Sequence, residues 1–322
     1  MQRCFAVVVG AGLVACGGGG GGSTGTQLPA GWSALPAMPA GVGETAVAAL
    51  DGKIYVAGGY NTRTDFQIYD VASSSWRTGP PLLSGTDNAG AVATGGKLYV
   101  FGGEATPAVQ VYDIAGGTWS FGPDLPAPRF SSVVEAIAGK VHLIGGWSFD
   151  RLNNVSLASH DQYDPAAGAW LPGGRAPMPT ARNHAASGVI GGEIYVAGGR
   201  APGHESDGAN LGKTEIYDPI GNAWRTGADL PTPRSGGASA VLDGKLYVLG
   251  GGLPGTTVYK TTERYDTAAN RWERLADMPA FATGHRAVAV NGSLYVFGGF
   301  TIVDGQRQGN TGVTSAWRFT PP

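Results

Sequence analysis

The chain has 322 residues, 22 basic and 24 acidic side chains and a net charge of −2, with no basic block, which excludes the cationic surface that nucleic-acid binding needs. Its two cysteines, Cys4 and Cys16, precede the first expected strand, which excludes disulfides and thiolate metal sites from the folded part. The 55 glycines are not filler, because beyond residue 30 they recur at fixed intervals.

The first element in chain order is a leader. One basic residue, Arg3, precedes an apolar run over residues 4–15 that is too short to span a bilayer, so residues 1–15 read as an export signal. The run closes on Leu13, Val14, Ala15 and Cys16, which resembles the bacterial lipobox. That resemblance implies cleavage before Cys16 and a lipid on it, in a bacterial cell envelope; the alternatives are cleavage without lipid or an uncleaved stub. Residues 16–30 form a glycine-rich tether with a reach of roughly 20 Å. The folded domain is expected over residues 31–322.

Six segments follow, reading GKIYVAGG, GKLYVFGG, GKVHLIGG, GEIYVAGG, GKLYVLGG and GSLYVFGG, with glycine pairs starting at Gly58, Gly102, Gly145, Gly198, Gly250 and Gly298. Five are followed by a Tyr-Asp pair at Tyr69, Tyr112, Tyr163, Tyr217 and Tyr265. Six residues after each Asp stands Trp76, Trp119, Trp170, Trp224 or Trp272. This combination resembles the kelch repeat and implies an all-β, six-bladed propeller with four antiparallel strands per blade. The first strand of each repeat is small and apolar, as in ETAVAAL and HAASGVI, which suits the crowded axis where blades converge. Asp-Gly, Gly-Gly, Ala-Gly and Asn-Gly pairs then predict tight hairpins into the second strand.

The sixth repeat stops after its third strand, with Trp317 and Arg318 standing where Tyr-Asp is expected. Trp32 lies 26 residues before Gly58, the spacing that separates Trp76 from Gly102 and Trp272 from Gly298. Trp32 therefore reads as the fourth strand of the last blade, closing the ring.

Insertions gather on one face. From the second glycine of each pair to the Tyr position the count runs 10, 9, 17, 18, 14 and 18, so the loops joining second to third strands build a candidate binding face. On the same face Arg129, Arg182 and Arg234 each stand 16 residues before a glycine pair, where the other repeats carry Val42, Thr86 and Ala282. One reading is a cationic crescent for a carboxylate, with Asn88, Trp147, Arg200 and Phe300 as further ligand contacts. The other is that the arginines pair with acidic residues or cap carbonyls between blades, and that Trp147 and Phe300 pack their own loops. Two residues past the arginine register stand Glu44, Asn88, Ser131, His184, Gly236 and Gly284. The five histidines show no metal-ligand spacing, and no cofactor is expected.

The resemblance implies first a non-catalytic envelope module, expected monomeric, that presents its loop face to a protein or glycan ligand. The alternative is an enzyme similar to the N-acetylneuraminate epimerases, kelch propellers acting on an acidic sugar, with Glu44 and His184 moving protons. Copper radical chemistry of the galactose-oxidase type, which shares the fold, needs a cysteine crosslinked to tyrosine and is excluded by the absence of cysteine after Cys16.

Overall fold

Small side chains decide which strand goes innermost. A Cβ on Gly90 would sit 2.2 Å from Val134 of the next blade, so neighbouring strands at the axis are too close for anything larger there. The computed structural model describes residues 27–322 apart from 61, 105, 151–152, 204–207, 253–256 and 305. The leader, Cys16, most of the tether and His204 lie outside the described residues. Among the described residues no helix is long and apolar enough to cross a membrane.

Six four-stranded antiparallel sheets surround one axis. The first runs outward through Ala46–Leu50, Lys53–Ala57, Phe66–Asp70 and Ser75–Thr78. Four more follow in the same order, beginning at Gly90–Thr94, Val133–Ile137, Ala186–Ile190 and Ala238–Leu242. The sixth takes His285–Val290, Ser293–Gly298 and Ala316–Phe319 from the C-terminal end and Trp32–Ala34 from the N-terminal end. Each of six apolar clusters straddles one seam between adjacent blades.

The closure has the expected partner strand in a shifted register. Trp32 pairs with Phe319 and Ala34 with Trp317. In the first blade the same row reads Ile54, Tyr69, Trp76; in the last it reads Leu294, Phe319, Trp32. Phe319, not Trp317, therefore takes the Tyr position. The long loop before it adds two residues, which preserves the alternation of faces and hides the shift from a simple count.

The recurring residues are pins between blades. The indole N–H of Trp76, Trp119, Trp170, Trp224 and Trp272 donates to a backbone carbonyl just beyond the preceding blade's outer strand, at 2.8 to 3.3 Å. Nearer the axis, the second glycine of each pair donates its N–H to the following blade's residue at the arginine register, as in Gly59 to Thr86 at 2.9 Å and, across the closure, Gly299 to Val42 at 2.8 Å. A Cβ on Gly58 would meet the same Thr86 carbonyl at 2.4 Å, and Gly58 has φ of +64°, so both space and backbone require glycine.

Three of the four long connections are not irregular loops. They fold as two-stranded ribbons, Trp147–Asp150 with Asn153–Ser156, Arg200–Pro202 with Gly208–Asn210, and Phe300–Val303 with Gln306–Gly312. Such pairing satisfies backbone groups that a long coil would leave to solvent.

Candidate functional site

Glu44, Asn88, Ser131, His184, Gly236 and Gly284 meet around the axis. Each N–H donates to the carbonyl of its counterpart in the preceding blade, from 2.7 Å for Glu44 to Gly284 up to 3.1 Å for Gly236 to His184, and the six bonds close into a cycle. All six residues have positive φ, from 52° at Ser131 to 69° at Gly284. Non-glycine residues pay about 1–3 kcal/mol for such conformations and keep them only where the surroundings over-determine them, as this cycle does.

The ring side chains fall into two groups. Glu44 accepts from Arg286 at 2.9 Å. Ser131 Oγ lies 3.0 Å from Asn88 Oδ1 and 2.9 Å from His184 Nε2. His184 Nδ1 is 2.5 Å from Asn183 Oδ1, and Arg200 Nη2 is 3.2 Å from His184 Nε2. Glu44 and His184 thus stand three blades apart, each with separate partners, and do not form a contacting acid–base pair. Asn88, Arg200 and His184 do come together.

Arg129, Arg182 and Arg234 do not converge on the mouth. Arg182 Nη1 pairs with Glu215 Oε2 at 2.7 Å, Arg234 pairs with Glu263 and Arg129 with Asp161. Arg182 and Arg234 also donate to the carbonyls of Val196 and Val248 at 3.1 and 3.0 Å. Burial pulls all three guanidiniums below their ordinary pKa, opposed by the paired carboxylates. The first two blades solve the same problem without charge. Gln67 and Gln110, at the register of Glu215, exchange hydrogen bonds with the backbone of Ala40 and Ser84. In these five blades a polar side chain, arginine with its acid or glutamine alone, latches the incoming loop to the blade.

Trp147 and Phe300, expected as stacking platforms, are only 6% and 2% exposed. Each begins a ribbon that turns its ring inward. Trp147 meets Phe130 edge-on with centroids 4.8 Å apart; Phe300 meets Tyr60 at 6.2 Å and lies under the Arg307 guanidinium at 3.7 Å.

Along the axis, the innermost strands and the ring enclose a channel of about 410 Å³, walled mostly by Ala, Val and Gly. Glu135 stands in this wall, the only acidic residue in any innermost strand. Ser187 Oγ donates to Glu135 Oε1 at 2.6 Å, and Ser239 Oγ donates to Ser187 O at 3.0 Å. Burial in the apolar wall pushes the Glu135 carboxyl up to about 7, against the Ser187 hydrogen bond. Sequence reasoning passed over Glu135, although a charged residue inside the small, apolar strand VVEAI was a readable signal. Among the described residues no group of three or more His, Cys, Asp or Glu could hold a metal ion.

Three histidines are buried in the seams. His142 Nδ1 lies 2.7 Å from His160 Nε2, and neither ring nitrogen of His285 has a hydrogen-bond partner among the described residues. Burial lowers all three, His285 to about 3. Because the folded values lie below the unfolded one near 6.5, their stabilisation is complete above pH 6.5 and is lost as pH falls. His285 alone should cost about 2 kcal/mol by pH 5. Glu135 has the opposite sign: its folded value is raised, so its contribution is fully present below its unfolded pKa near 4.5 and is lost as pH rises through 7. Three histidines against one glutamate make a lower urea midpoint at pH 5 than at pH 8 the expected result, and equal midpoints would contradict neutral burial.

Residues 54–310 match the family model described as Attractin/LZTR1 beta-propeller. Kelch repeat and BTB domain-containing protein 12 of Homo sapiens is 39% identical over 110 residues, 32% of this chain and 17% of that protein. Kelch-like ECH-associated protein 1B of Danio rerio is 33% identical over 96 residues, 30% of this chain and 16% of that protein. The matches thus span less than a fifth of these two relatives. The solved structure titled Structure of YjhT superposes with a TM-score of 0.75 at 18% identity, covering 88% of this chain and 96% of that one, a likeness of fold.

Proposed function

The chain belongs to the Attractin/LZTR1 β-propeller family, and on that premise we propose that it is a binding module whose working surface is the ribbon-bearing face, presented to a protein or glycan. The asymmetry of the two faces carries this reading. One face holds only short turns such as Asp51-Gly52 and Asn291-Gly292, whereas the other carries all three ribbons. Leu83, Val155, Phe281 and Val303 are exposed on connections of that second face, at 51, 44, 40 and 50%. Large apolar side chains held out on this face, Val155 and Val303 by ribbons and Leu83 and Phe281 by the connections into the innermost strands, support recognition of a partner. The lipobox-like stretch ending in Cys16 supports an exported module tethered to a bacterial envelope. The epimerase-like alternative, in which Arg129, Arg182 and Arg234 would hold a carboxylate while Glu44 or His184 moved protons, is the second reading, because each of the three arginines is held in an ion pair.

The test is a screen of the full chain against a peptide display library and a glycan array, repeated with Leu83, Val155, Phe281 and Val303 each changed to Asp. Binders of the native protein should weaken at least tenfold on the variant. Binders that ignore these changes but are lost on Ile220→Asp, on the opposite face, would overturn the assignment. In the same preparation, loss of detergent-phase partitioning on Cys16→Ser is the expected sign of the lipid.

A further inference from the structure

The channel has chemistry that the loop face does not use. Of the three titratable groups in its wall, Arg286 is paired with Glu44 and His184 is bonded to Ser131 and Asn183. Glu135 has a hydroxyl partner on one oxygen and, among the described residues, no cation. The strands beside it supply no countercharge: Gly90–Thr94 carries no titratable group, and Ala186–Ile190 contributes Ser187. Behind it, across the register of its own blade, stands His142, held neutral by burial. A carboxylate and a hydroxyl in a channel walled by small side chains form an acceptor set whose carboxylate has no cation among the described residues.

We propose that the central channel is a binding site for the ammonium group of a small organic amine, which Glu135 holds as the counter-ion while Ser187 orients the carboxylate and Ser239 braces the Ser187 backbone. The alkyl part of the amine lies against the alanine and valine wall, including Ala91, Ala136 and Ala289. A volume of about 410 Å³ admits a short aliphatic amine. The raised carboxyl couples binding to proton release, because the ammonium group pairs with the ionised form.

Titration calorimetry of the full chain with 1,4-diaminobutane, and with butane-1,4-diol as the neutral match, tests this. The diamine should bind and the diol should not, with affinity rising roughly tenfold between pH 6 and pH 8. In buffers of different ionisation enthalpy, binding near pH 7 should release a fraction of a proton, and less at pH 8. Glu135→Gln should lose at least tenfold in affinity without lowering the melting temperature. Equal binding of diol and diamine, or unchanged affinity in Glu135→Gln, would each overturn the proposal. The diamine and diol comparison uses the native chain alone, so it decides the matter even if the variant fails to fold. Loss of the loop-face binders would leave this result untouched.

Discussion

Replacing Trp32 by Ala should remove about 3–5 kcal/mol, the cost of emptying a buried Trp site, from a domain whose whole stability is expected to be about 5–15 kcal/mol. Trp32 is buried and stacks on Phe319 with centroids 4.8 Å apart, within a cluster that includes Leu249, Met278 and Val296. The strand around it is zipped to the other end of the chain. Beyond the strand pairing, Leu35, Met38 and Val42 donate to the carbonyls of Ala316, Thr314 and Val313 at 3.0, 2.9 and 3.1 Å. A chain beginning at Met38 should therefore melt well below one beginning at Leu28, with its last blade left open-edged. The indole itself offers a sharper comparison. Five tryptophans pin the preceding blade through Nε1, but Trp32 Nε1 is buried with no partner among the described residues. Trp32→Phe should thus cost much less than Trp76→Phe, which also breaks the 3.0 Å bond to Pro36 O. Equal urea midpoints for Trp32→Ala and the native chain would refute the closure.

That closure was legible because spacing between glycine pairs and tryptophans is a covalent count, which the fold must respect. The count failed at Phe319 for a physical reason. A two-residue shift leaves side-chain alternation unchanged, so Trp317 and Phe319 satisfy the same pattern and only pairing distinguishes them. At the candidate site the ring positions were correctly grouped by register, yet nothing local to Glu44 or His184 announces a backbone cycle with positive φ. The function of Arg129, Arg182 and Arg234 was decided by residues 29 to 33 positions away, at Asp161, Glu215 and Glu263. Those acidic residues each sit two positions before the recurring Tyr, where the first two blades carry Gln67 and Gln110. The pairing of Arg with acid and of its absence with Gln was present in the repeats, but it becomes readable only once strand register is known.

Arg182→Ala should be the most damaging change at that register. The Arg182 and Glu215 side chains are 0% and 2% exposed, so the substitution leaves a buried carboxylate without its cation. Such losses cost about 3–5 kcal/mol, more than the pair itself contributes over an apolar or neutral replacement. Thr180 would remain on Glu215, through Oγ1 at 2.6 Å and its backbone N–H at 3.3 Å, but two neutral donors do not replace a guanidinium. The protein contains its own remedy. In the first blade Val42 and Gln67 occupy these two registers, and Gln67 bonds the backbone of Ala40 from both ends of its amide. Arg182→Val combined with Glu215→Gln should therefore recover most of the stability lost in Arg182→Ala, because no buried charge is left and the amide can take over the latch to Thr180. Arg129→Ala should cost less than Arg182→Ala, since Asp161 is 23% exposed and keeps water. Urea unfolding of the three variants checks the order. A double variant less stable than Arg182→Ala would mean that the blade needs the ion pair itself, whereas recovery would mean that it needs only a satisfied register.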